Sequence, residues 1–191
     1  MVNAILAVDP GGDTGLADFN YFTKTWQTTV LPYEPLVLYG FFITWLRSKA
    51  TNVVGPKGVT VICESFDYRP VGKYDFGGSR AIPKVDLTPR NVIGILELAC
   101  AQHDVEIVWQ KPSTVNGDDG RKTKDPSVFW TDAKVKQLGL YKPAHVHEMD
   151  AVKHILHYRA FTLRELKLFE ALKPPALQTF PATDPFEEVM R

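Results

Sequence analysis

The chain has 191 residues with 22 basic and 22 acidic side chains, a formal net charge of zero, and a hydrophobic fraction of 45%. That length suits one compact domain, and the composition is that of a globular chain with a real core, not of a disordered or fibrous one. The charge balance counts mildly against a nucleic-acid partner, although an acidic cluster and an acidic tail can hide a local basic surface.

The two cysteines, Cys63 and Cys100, lie inside apolar runs and outside any zinc-ligand spacing, so they read as buried free thiols in a reducing, cytosolic compartment. The opening MVNAILAVDP lacks the basic start of a secretory signal. No apolar stretch approaches the roughly 20 residues of a membrane span. The apolar segment Leu36 to Leu46 is closed by Arg47 and Lys49 and reads as a core helix.

In chain order, Ala4 to Val8 is a short buried strand that ends at Asp9 and is stopped by Pro-Gly-Gly. Gly15 to Phe22 and Thr25 to Leu31, rich in β-branched and aromatic residues, form a meander with it. Glu34 to Lys49 is a helix with proline in its first turn. Val59 to Cys63 is a buried strand ending at Glu64, and a loop rich in glycine, proline, aromatic and basic residues follows from Ser65 to Leu87. Thr88 is the expected N-cap of a helix from Arg90 to His103, with Val105 to Trp109 as the fifth strand. A polar stretch, a short helix from Thr131 to Leu138, and a long helix from Val146 or His147 to about Leu172, continuous or with a break, complete the domain, which is expected to span residues 1–172. Residues 173–191 are proline-rich and are expected to form an extended or disordered tail. Three strands followed by alternating helices and strands predict an α/β fold: a mixed five-stranded sheet with helices on both faces, the RNase H-like arrangement.

Three acids stand at element ends: Asp9 after the first strand, Glu64 after the fourth, and Asp150 in the last helix, three residues after His147. In this topology the first and fourth strands are neighbours, and His147 and Asp150 share a helix face. Carboxylates converging at one sheet edge repel one another unless cations intervene. Such oxygen-rich sites suit Mg²⁺ or Mn²⁺, and two ions per site could clamp a phosphodiester. Each residue also has a plainer reading: Asp9 as a turn residue, Glu64 as a strand-end charge, and His147 with Asp150 as a local pair at a helix start. His154 and His157 read as core or supporting histidines, since successive turns are expected to carry them away from the edge.

The segments ILAVDPGGDTGLADF, VTVICES, TPRNVIGILELACAQHDVEIVWQKPSTVNG and HEMDAVKHILHYRA resemble the RuvC-like Holliday junction resolvases over about Asn3 to Ala160. The resemblance implies a metal-dependent endonuclease that cuts branched DNA and leaves 5′-phosphate and 3′-hydroxyl ends. It assigns Asp9, Glu64, His147 and Asp150 as the catalytic metal ligands. No small-molecule cofactor and no membrane partner are expected, and symmetric cutting of a four-way junction implies a homodimer. The helix face carrying Val92, Ile93, Leu96 and Cys100 is the candidate interface, unless it only covers the sheet. An aromatic follows the Glu in the family, and both Phe66 and Tyr68 fit that place. Arg69, Lys73, Arg80, Lys84 and Arg90, interleaved with aromatics, and Arg121, Lys122 and Lys124 in the later polar stretch are the expected phosphate contacts, against the plainer reading of a solvated loop with its aromatics in the core.

Rival readings keep the fold and change the function. Asp-x-Gly-Gly-x-x-Gly also resembles the phosphate loop of sugar kinases and actin-like ATPases, which need two such domains. A 3′–5′ exonuclease wants an acid where this chain has Gly11. A degenerate member would grip DNA without cutting it.

Overall fold

The computed structural model describes residues 2–51, 58–66, 87–110, 129–143 and 145–172. The elements are β1 (Ala4–Asp9), β2 (Asp13–Asn20), β3 (Thr25–Pro32), α1 (Pro35–Thr51), β4 (Val59–Glu64), α2 (Thr88–Ala101), β5 (Ile107–Gln110), α3 (Asp132–Gln137), α4 (Val146–His157), a π-helical turn (Tyr158–Thr162) and α5 (Lys167–Glu170). They build the expected mixed sheet, in the order β3-β2-β1-β4-β5. β1 pairs antiparallel with β2 and parallel with β4. β3 pairs antiparallel with β2, and β5 parallel with β4.

The strand residues alternate between two separate cores, which explains why β1 is apolar at successive positions. Leu6, Val8, Val61 and Cys63 pack with Leu38, Phe42 and Leu46 of α1 and Val92, Leu96 and Cys100 of α2. On the other face Ile5, Ala7, Ala17, Phe19 and Ile62 pack with Met149, Val152 and Ile155 of α4 and with Trp130. Both cysteines are buried free thiols, as expected. Among the described residues, no helix is long and apolar enough to cross a membrane.

Several boundaries differ from expectation. β3 continues through Pro32, which is tolerated because β3 is an edge strand with no neighbour among the described residues on its outer side. Thr88 is the first helical residue of α2, and the N-cap position falls on Leu87 without a side-chain cap. The last helix is broken, one of the two forms expected of it. α4 ends at His157, and the Leu163 N–H bonds back to the Tyr158 carbonyl over a widened turn. Arg164 then turns the chain with φ 56°.

Side chains hold this break against the sheet. Arg159 pairs with Glu165 at 2.7 Å, and its guanidinium lies 4.0 Å from the Phe19 ring centre. The Tyr21 hydroxyl donates to the same Glu165 carboxylate.

The face of α2 proposed as a dimer interface is occupied within the chain. Val92, Leu96 and Cys100 are buried in the core, and Ile93 packs partly against it. Helical spacing shows that a face is apolar, but not whether α1 and the sheet already cover it. Residues 67–86, with Tyr68, Arg69, Lys73, Arg80 and Lys84, lie outside the described residues, as do residues 111–128 with Arg121, Lys122 and Lys124, and residues 173–191.

Candidate active site at the strand ends

Asp9 and Glu64 are the last residues of adjacent parallel strands, so the sheet delivers both carboxylates to one edge. α4 crosses that edge because β2 makes room for it. Gly15 pairs with Asp9 in the register of β1 and β2. A Cβ on Gly15 would lie 2.1 Å from the His147 carbonyl oxygen and 2.3 Å from its carbon. The missing side chain therefore seats the first turn of α4 directly beside Asp9. His147 Nδ1 stands 3.2 Å from Asp9 Oδ2.

Each acid has its own nitrogen partner on α4. Asp9 meets His147, and Asp150 meets Lys153, whose Nζ lies 2.9 Å from Asp150 Oδ1 and 3.1 Å from Asp132 Oδ1 on α3. Glu64 meets His154, with Nε2 3.2 Å from Glu64 Oε2. The His154 ring is buried and bonds through Nδ1 to Gln110 Oε1 at 2.6 Å. A proton between His154 and Glu64 completes their bond.

Burial pushes the Asp9 carboxyl up to about 6, and the negative charges of Glu64 and then Asp150 add to the effect, against the opposing hydrogen bond from His147. The three acids therefore share one electrostatic neighbourhood. They do not form a closed cluster: among the described residues, no group of three His, Cys, Asp or Glu side chains stands together in a metal-holding arrangement. The expected four-residue convergence is present as one contact, Asp9 with His147, and as the mutual field of the acids.

The donor set still fits a divalent cation. Asp9, Glu64 and Asp150 supply hard oxygen donors and His147 a half-exposed imidazole. The raised proton affinity of Asp9 is what a cation at that edge would relieve.

Sequence reasoning did not find Gln110, Lys153 or the role of Gly15. Lys153 was within reach of it, because it follows Asp150 by three positions on a helix. Gln110 required the register that sets it opposite Glu64. His154 is buried and supports Glu64, as a core or supporting histidine was expected to be, but α4 brings it to the edge instead of carrying it away. His157 packs with its ring centre 4.6 Å from that of Phe161. Phe66 lies just beyond β4, where it lines a cavity of about 320 Å³ with Arg90, Ile93, Glu97 and Trp109.

The arrangement defines an α/β protein with a RuvC-like fold, an acidic edge on β1 and β4 and a helix crossing it. A solved structure of T. thermophilus RuvC in complex with Holliday junction substrate matches with a TM-score of 0.54 at 12% identity, covering 85% of this chain and 96% of that one. A second, of Thermus thermophilus RuvC, matches with a TM-score of 0.45 at 14% identity, covering 82% of this chain and 95% of that one. No family model and no curated protein matches the sequence.

Proposed function

We propose that this chain is a metal-dependent endonuclease acting on branched DNA, with Asp9, Glu64, His147 and Asp150 as its catalytic edge. The observation that carries the reading is that Asp9 and Glu64 end adjacent strands while α4 sets His147 against Asp9, all on a fold shared with a protein solved on a Holliday junction.

Two Mg²⁺ or Mn²⁺ ions, when bound, would supply the positive charge that activates water and offsets charge on the phosphodiester. Asp9, Glu64 and Asp150 would hold them, and His147 would be a further ligand or would orient the nucleophile. The chain's own residues prepare that edge. His147 steadies Asp9, Lys153 ties Asp150 to α3, and His154 holds Glu64. Hydrolysis would leave 5′-phosphate and 3′-hydroxyl ends. Phe66 or Tyr68 would stack on unpaired bases, and Arg69, Lys73, Arg80, Lys84, Arg121, Lys122 and Lys124 would contact phosphates. Paired cuts at a four-way junction need two such sites, so the active form is a homodimer, checked by sedimentation on and off DNA.

One observation favours a second reading. Each acid already has a nitrogen partner on α4, as in a DNA-binding module that no longer cuts. Incubating the protein with a four-way junction, a flap and linear duplex, with Mg²⁺ or with chelator, decides between them. The nuclease predicts cation-dependent cutting of the branched substrates that Asp9→Asn abolishes. Binding without cutting in any cation supports the module, and full cutting in chelator refutes the metal-dependent reading.

A further inference from the structure

Gln110 ends β5 directly opposite Glu64, the end of β4. Its side-chain nitrogen donates to the backbone carbonyl of His154 at 3.2 Å. That bond fixes which way the amide points and leaves Oε1 against the imidazole, 2.6 Å from Nδ1. Nδ1 must therefore carry hydrogen, and Nε2 is the atom turned toward Glu64, at 3.2 Å. His154 is 4% exposed, on a helix whose Ala151, Val152, Ile155 and Leu156 are also buried. Two strand ends and one helix thus immobilise an imidazole whose outward nitrogen meets a partly exposed carboxylate.

We propose that His154, anchored by Gln110, is a positioning residue that holds the Glu64 carboxylate in the orientation in which it receives a divalent ion. This rests on the reading of Glu64 as an ion ligand. Partners that orient ligating groups typically matter about 10–100-fold in metal affinity, because an unrestrained carboxylate must be ordered at the moment of binding.

Two substitutions separate this role from simple packing. His154→Asn keeps a polar atom near the place of Nδ1, facing Gln110, but is too short to reach Glu64. His154→Gln extends an amide nitrogen to about the place of Nε2. Mn²⁺ affinity of the full chain is measured by titration calorimetry at one pH, alongside melting temperature. The Asn variant is expected to lose about 10–100-fold in Mn²⁺ affinity, and the Gln variant to recover most of it. Gln110→Leu, which leaves the ring in place but frees it, is expected to show an intermediate loss and serves where the Asn variant does not fold. Equal Mn²⁺ affinity in wild type and all variants, or losses that merely follow melting temperature, overturn the proposal.

A metal-free readout separates this proposal from the functional reading. Imidazole ¹⁵N spectra should show His154 protonated at Nδ1, with an Nε2 signal that moves on Glu64→Gln. If wild type takes up no Mn²⁺ but that signal moves, the ion-ligand reading fails while the contact between His154 and Glu64 stands. If the signal does not respond to Glu64→Gln, His154 does not position Glu64.

Discussion

The His147 carbonyl of α4 sits where a side chain at Gly15 of β2 would begin, 2.1 Å from an added Cβ. The conflict is with backbone, so no rotamer change relieves it. Gly15→Ala must push the start of α4 off the sheet, and His147 moves away from Asp9 with it. The expected cost is about 2–3 kcal/mol in urea denaturation, as for other overpacked sites, together with loss of cleavage. A variant as stable and as active as wild type would show that α4 does not depend on this close approach.

Asp9 predicts a pH dependence with a definite sign. In the unfolded chain its carboxyl titrates near the ordinary 3.8, and in the folded chain near about 6. Its stability contribution is therefore fully present below pH 4 and is lost as pH rises through 6. The shift corresponds to at most about 3 kcal/mol. In chelator, Asp9→Asn should gain stability relative to wild type between about pH 4 and pH 7.5 by an amount of this order. Melting curves at the two pH values check this, and an unchanged difference counts against the electrostatic account of the edge.

Asp9→Asn and Asp150→Asn should each abolish cutting of a four-way junction while leaving DNA binding within about threefold, since both keep side-chain shape and remove one ligand charge. Mg²⁺ or Mn²⁺ should support the wild-type reaction, and Ca²⁺ should permit binding without cutting, because its looser coordination misaligns the reacting groups. Gel-based cleavage and anisotropy on the same substrates provide the two readouts. Near wild-type cutting by either variant would remove that residue from the site.

Phe66→Ala or Tyr68→Ala should cost about 1–3 kcal/mol on junctions for each base that the ring stacks, and little on linear duplex. Arg80→Ala or Lys84→Ala should instead weaken binding to every DNA and flatten its salt dependence, because a phosphate contact carries no shape information. The measured quantity is the ratio of junction to duplex affinity at fixed salt. A ratio unmoved by both aromatic substitutions would assign branch recognition elsewhere.

Arg159→Leu removes the partner of Glu165 and the cation over Phe19 while leaving the carboxylate beside the Tyr21 hydroxyl. Arg159 is largely buried and Glu165 partly so, and breaking one side of such a pair should cost about 2–4 kcal/mol by urea denaturation. Arg159→Lys should recover only part of this, because an ammonium cannot reproduce the paired guanidinium contacts. Full recovery by lysine would reduce the contact to its charge.

The primary structure by itself determined the strand and helix order, the sheet it builds and the placement of Asp9 and Glu64 at strand ends. These follow from local periodicity and from turn residues such as Pro10 and Gly11, which act within a few positions along the chain. Tertiary structure alone decided what each acid touches. The partners of Asp9 and Glu64 lie 138 and 90 positions away, and they meet only because α4 crosses the sheet at an angle that Gly15 permits. Packing likewise put the apolar face of α2 into the core and joined Gln110 to His154. A hydrophobic pattern specifies that a helix face is buried, whereas the crossing of two elements specifies against what. For this reason His154, one turn beyond Asp150, reached Glu64 although its position along the helix pointed away from the edge.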